Sequence, residues 1–312
     1  MKTVRWSFLV CLCLLGAHSR AADKPNILFL LSDDHSYPYL SCHGNKDVLT
    51  PNLDRLVSQG MRFDRMFVGC PQCVPSRACL MTGRSAVAVR MVRFTSPLPA
   101  GVPALPDLLR DKAGYFTGVA GRTYHLDGPP TKAQKGTSVI GEDFAPTMLE
   151  IAGVAPPKQM SGVSYLKLLK GESFEGRKYI FAERGPHGGD GGMKPDVLAS
   201  TFDLARCVRS ANFKLIYNCT PHQAVAPVDS QRDPGWQEMK AAFAEGKLAP
   251  AFVRTYFTTP RPTYELYDLD ADSGELTNLA GNRKYAQVER ELKEALTEKM
   301  VLDWDFLPTP LR

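Results

Sequence analysis

Three groups of residues have types and spacings that could do chemistry. Asp33 and Asp34 stand side by side and offer paired hard oxygens, suited to calcium or, as the alternative, magnesium. Arg122 and His125 lie three positions apart and could meet an anion. Between these groups runs Cys73-Val74-Pro75-Ser76-Arg77-Ala78-Cys79-Leu80-Met81-Thr82-Gly83-Arg84. Pro75 can begin a helix, which would put Cys73 just ahead of an N-terminus whose amides and dipole favour an anion. Arg77, in the first turn, could reach the same point with a planar fork matched to oxyanion oxygens. Cys70-Pro71-Gln72-Cys73 also has the CxxC spacing of zinc and redox sites. A zinc site would need a second pair at a usable distance, and none follows.

The groups sit where strands are expected to end, and ligands of open α/β sheets collect beyond the carboxyl ends of strands. Ile27 to Leu31 is a continuous apolar run, the pattern of a parallel strand buried on both faces, and it stops at Ser32-Asp33-Asp34-His35. Thr50-Pro51 reads as an N-cap and first helical residue, and Leu53, Leu56 and Val57 form a stripe that ends at Gly60. Met61 to Val68 is expected to return as a strand. Leu105 to Arg110 begins a second helix, followed by an expected strand from Tyr115 to Ala120 that leads into Arg122 and His125. Phe144 to Ala152 is a further helix.

From Tyr179 the texture changes. Tyr179–Ala182, Ala205–Val208, Phe213–Tyr217 and Tyr264–Tyr267 read as strands of a meander or small antiparallel sheet. A polar helix, Lys284 to Met300, closes the chain. The Gly-rich stretch from Gly185 to Gly192, with His187, is a solvated loop and no phosphate cradle, because no strand-to-helix context surrounds it. The expected fold class is α/β, a large mixed sheet flanked by helices, with a small C-terminal antiparallel sheet and a closing helix. Its divisions are a leader over 1–21, an α/β domain over 22–178 and an α+β subdomain over 179–312.

Composition narrows the function classes. The 312 residues are 44% hydrophobic and 23% charged, which suits a globular protein and excludes collagen-like and disordered readings. Lys2 and Arg5, an apolar run from Trp6 to Gly16 and small residues at Ala17, Ser19, Ala21 and Ala22 have the layout of a secretory signal peptide. The run is shorter than the ~20 residues of a spanning helix, so no stable membrane anchor is expected after cleavage. An exported product follows, periplasmic or extracellular, or lysosomal in a eukaryote. Lys2, Arg5 and Arg20 account for three of the five net positive charges, and the small remainder gives no support to nucleic-acid binding. Six cysteines remain past the leader and could form three disulfides in an oxidising compartment. Asn218-Cys219-Thr220 is a glycosylation sequon.

Residues 73 to 84 match all eight specified positions of C-x-P-S-R-x-x-L-x-T-G-R, so the chain resembles the type I sulfatases. RCVRSANFKLIYN, the YELYD block and Trp304 are similar to heparan N-sulfatases. The resemblance implies an alkaline-phosphatase-like fold and a Cys73 oxidised to formylglycine by a maturation enzyme. In such a site one hydroxyl of the hydrated aldehyde attacks sulfur and expels the alcohol or amine. The second hydroxyl then loses its proton, and the aldehyde reforms as sulfate leaves. The resemblance further implies calcium at Asp33 and Asp34 with the modified Cys73, Arg77 holding the diol, and Arg122 and His125 on the sulfo group. Arg122 replaces the family's usual lysine there, which keeps the charge but removes a group able to lose a proton.

The chain departs from the family in one place. A long segment, with an Asp-Asn or Asp-His half of the metal site, is expected before the helix at Phe144. Here only Pro129 to Ile140 joins the two parts, with the junction near 128–141, and no Asp-Asn dipeptide occurs. Two readings follow: a hydrolase acting on sulfated glycans, or a catalytically impaired sulfatase-like protein that binds them without turnover.

Overall fold

The computed structural model describes residues 24–33, 35, 37–92, 98–118, 142–185, 203–223, 225, 233–305 and 307. The signal-like leader, Asp34, Arg122, His125, His187 and the whole junction near 128–141 lie outside the described residues.

Local signals place the N-terminal helices as expected. Helix α1 spans Pro51–Gln59, with proline in its first turn. Helix α2 spans Cys73–Thr82 and α3 spans Leu105–Ala113, and each ends at a glycine in the left-handed region, Gly83 and Gly114. Helix α4 spans Phe144–Ile151. Their apolar faces meet in one core, where Val74, Ala78 and Met81 of α2 pack with Leu105 and Leu109 of α3 and Ala145 and Leu149 of α4.

The second core is built on a sheet. Strands β1 (Ile180–Arg184), β2 (Ala205–Arg209), β3 (Phe213–Asn218) and β4 (Tyr264–Asp268) form an antiparallel meander in sequence order. The register aligns Phe181, Val208, Leu215 and Leu266 in one row across the four strands. The closing helix, α5 (Ala286–Leu302), lays Leu292, Leu296 and Met300 against that row, one residue every four. A buried ion pair pins the end of α5 to the sheet, with Arg206 Nε donating to Asp305 Oδ2 at 2.6 Å. A helix over Pro234–Ala244, which sequence patterning missed, packs its own aromatic cluster, with Phe257 stacked on both Trp236 and Phe243.

The first apolar run takes a different form from the one expected. Residues 27–31 are extended, but among the described residues they join no hydrogen-bonded ladder. Burial alternates: Phe29 packs on Phe144, ring centroids 4.7 Å apart, while Leu28 is 83% exposed and Leu30 72% exposed. Residues 61–68 and 115–118 are likewise outside any strand. A ladder needs a partner strand as well as an apolar sequence, and none is paired with these segments among the described residues.

The cysteines also depart from expectation. Cys42, Cys70, Cys73, Cys79, Cys207 and Cys219 are all free thiols. Cys70 and Cys79 are buried together against Ala86, and the others are dispersed over different elements. Asn218 of the sequon is buried, and its Nδ2 donates to Pro262 O and Glu265 Oε1.

Candidate active site

Helix α2 starts at Cys73 itself, with Gln72 at the N-cap. This is two residues earlier than Pro75 suggested. Proline is tolerated there because the first-turn amides have no acceptor within the helix. Cys73 therefore stands in the first turn, beside backbone amides and the positive end of the dipole. Arg77 follows one turn later. Residues four apart share one helix face, and Cys73 and Arg77 both approach Asp33 from it.

Asp33 arrives from the extended segment. Lys24 Nζ donates to Ala113 O at 2.6 Å and the Tyr115 hydroxyl donates to Pro25 O at 2.9 Å, tying the start of the segment to the end of α3. Phe29 on Phe144 holds its middle. The far end brings Asp33 Oδ1 to 3.9 Å from Cys73 Sγ and 3.8 Å from the Arg77 guanidinium. The Arg77 side chain is 8% exposed and that of Asp33 is 37% exposed, so a buried cation faces a carboxylate open to solvent. Gln72 is buried beside them, and neither atom of its side-chain amide has a hydrogen-bond partner among the described residues.

The three cysteines of this region differ sharply. Burial pushes the Cys70 and Cys79 thiols well above their ordinary range, which keeps them neutral. Cys73 is only partly buried and faces Asp33. Cys70 and Cys73 thus occupy unlike surroundings, which is a poor arrangement for a zinc or redox CxxC pair.

Of the expected site residues, the structure brings together Asp33, Cys73 and Arg77. Asp34, Arg122 and His125 lie outside the described residues. Among the described residues no group of three or more His, Cys, Asp or Glu side chains is gathered as a metal cage. Asp33 offers hard oxygens within reach of Cys73, and its donor type fits calcium or magnesium as one ligand among the several such ions take.

Fold and site together have the character of a sulfatase, and comparison with known proteins agrees. The sulfatase family model matches residues 25–141, and the model of the N-sulphoglucosamine sulphohydrolase C-terminal region matches residues 129–255. The chain belongs to the type I sulfatase family. It is 36% identical over 137 residues to human steryl-sulfatase, covering 40% of this chain and 23% of that one. It is 38% identical over 130 residues to human arylsulfatase A, covering 39% and 25%. To the N-acetylglucosamine-6-O-sulfatase of Bacteroides thetaiotaomicron it is 36% identical over 107 residues, covering 34% and 19%. The chain thus spans about a fifth to a quarter of the length of the curated relatives it matches. Among solved structures, a 2-O GAG sulfatase superposes with a TM-score of 0.53 at 14% identity, over 85% of this chain and 89% of that one. That likeness establishes the fold alone.

Proposed function

We propose that this chain acts as a hydrolase of sulfuric esters, or of sulfamates, on sulfated glycans. The observation that carries the reading is the meeting of Asp33, Cys73 and Arg77 at the N-terminus of α2. The names of the relatives support sulfate chemistry, and the sulphohydrolase model over residues 129–255 supports an amino-sugar substrate.

Formylglycine made from Cys73 by a maturation enzyme would supply the attacking oxygen when present. Asp33 and Asp34 would hold calcium, or magnesium, which would lend positive charge to a sulfo oxygen. Arg77 would hold the diol and reach the sulfo oxygens beside it, with its fork preset by burial and by Asp33. The α2 amides stabilise negative charge developing on the sulfo oxygens. Arg122 and His125 are assigned to the sulfo group and the leaving atom, with His125 able to give a proton to it. The division of the chain into 22–178 and 179–312 separates the part that bears these residues from the sheet beneath it. Export behind the leader brings the protein to extracellular, periplasmic or lysosomal glycans.

The test is chemical. The full chain is coexpressed with a formylglycine-generating enzyme, and the peptide containing Cys73 is weighed by mass spectrometry. Sulfate release is then followed on N-sulfated and 6-O-sulfated glucosamine. Conversion of Cys73 and a loss of at least about 10³-fold in release on Cys73→Ala are expected. Full release by Cys73→Ala would end the reading. Binding of sulfated sugar by the converted protein without turnover would replace it with a binding function.

A further inference from the structure

The segment that carries α2 is gripped at both ends by one residue of the sheet. The backbone N–H of Glu183, on β1, donates to Gly69 O at 2.7 Å, four residues ahead of Cys73. Its side chain accepts from the N–H of Val87 at 2.9 Å, just past the C-terminal end of α2. We propose that Glu183 is a positioning residue, holding Gly69 and Val87 together so that α2 keeps Cys73 and Arg77 against Asp33. This inference deepens the proposed hydrolase function and rests on it for the meaning of the site, but the grip itself is independent of any reaction.

The surroundings make the grip sensitive to protons. Beside it lies a cleft with room for about one water molecule, lined in part by Ser85, Glu142, Glu183, Arg206, Lys299 and Asp303. Every packed element contributes charge or titratable groups. Arg206 faces Glu183 from β2, Cys70 and Cys79 from the approach to α2 and from its body, and Glu142 from the turn before α4. Lys299 and Asp303 come from α5 and its end, and Asp305 beyond them is engaged by Arg206. Four carboxyl groups, Glu142, Glu183, Asp303 and Asp305, thus share two cations, Arg206 and Lys299. Burial alone would lower Lys299, but Glu142 and Asp303 outweigh it and hold the ammonium charged. Glu183 retains some surface exposure, yet its carboxyl is enclosed. Desolvation pushes it up to about 7, against the pull of Arg206 and of the Val87 N–H, with Glu142 and Asp303 adding to the rise.

The sign follows from linkage. The gripped state holds the Glu183 proton up to about pH 7, whereas an open, hydrated Glu183 releases it near the ordinary 4.5. The grip is therefore fully stable below the ordinary value and weakens as pH rises through about 7. Acid tightens the seat of α2, and alkali loosens it.

The experiment is hydrogen exchange on the full chain, reading the Val87 amide and the amides of α2 at about pH 5 and about pH 9. After correction for intrinsic exchange, wild-type opening is expected to rise at least about tenfold across that range. Glu183→Gln keeps an oxygen for the Val87 N–H and cannot titrate, so its opening should be flat with pH. Glu183→Ala should be open at both values. A Glu183→Gln slope equal to wild type, or Glu183→Ala with undiminished protection of Val87, would overturn the proposal. Should Glu183→Ala not fold, the comparison of wild type with Glu183→Gln still decides. Sulfate release is measured in parallel, and retention by Glu183→Gln with loss in Glu183→Ala is expected. Absence of release from all three proteins would overturn the hydrolase reading and leave the exchange result standing.

Discussion

Cys73 Sγ stands 3.9 Å from Asp33 Oδ1 although the two residues are forty positions apart in the chain. Two independent anchors produce that approach: α2 begins at the cysteine, and the extended segment before Asp33 is tied down at Lys24, Pro25 and Phe29. One side of the site is thus carried by a helix and the other by an irregular segment that side-chain and backbone contacts tie down.

Arg77 should be sensitive to shape as well as charge. Arg77→Ala is expected to lower sulfate release by about 10²- to 10³-fold, the scale of removing one preorganised oxyanion partner. Arg77→Lys should fall between, since a point charge replaces a fork. Steady-state rates with circular dichroism as the folding control check this. A fully active Arg77→Ala would remove Arg77 from the reaction.

Asp33 should govern the metal requirement. In the converted protein, Asp33→Asn is expected to raise the calcium concentration needed for half-maximal release, because a neutral amide replaces an anionic oxygen ligand. Chelator titration followed by calcium add-back measures the shift. An unchanged requirement would place the ion elsewhere.

The ion pair between Arg206 and Asp305 is buried on both sides, with side chains 8% and 5% exposed. Removing one partner leaves an uncompensated charge, so Asp305→Ala should destabilise the protein by about 3–5 kcal/mol in urea titrations. Arg110→Ala is the contrast. Its pairs with Asp107 and Asp111 lie in solvent, with the arginine 52% exposed, and the urea midpoint should stay close to that of the wild type.

The sequon at Asn218 should remain unmodified when the chain passes through a eukaryotic secretory route. The side-chain amide is buried and donates to both Pro262 and Glu265 in the folded protein. Intact mass before and after enzymatic deglycosylation is expected to agree. Asn218→Ala should instead cost about 1–3 kcal/mol, because Glu265 and the Pro262 carbonyl lose their donor. A mass difference would show that modification precedes folding of this strand.

Much of the architecture follows from short-range rules that a sequence expresses directly. Proline at the start of α1, glycines able to take positive φ after α2 and α3, and alternating apolar residues in β2 and β3 each act within a few residues. For the same reason the motif from Cys73 to Arg84 was legible in full, including the placement of its cysteine at a helix N-terminus. The first turn of α2 was read two residues late because proline fits several of the opening positions of a helix.

Sequence alone determined the family, the nucleophile candidate and the meander with its closing helix. Tertiary structure alone decided which extended segments became strands, which cysteine of three faces a carboxylate, and whether the sequon is open. It also decided that Glu183, an ordinary glutamate in sequence, grips both flanks of α2 and holds a proton near neutrality. The physical reason is range. Helix caps and strand alternation are settled by neighbours in the chain, whereas ladders, desolvation and charge balance depend on atoms that only folding brings together.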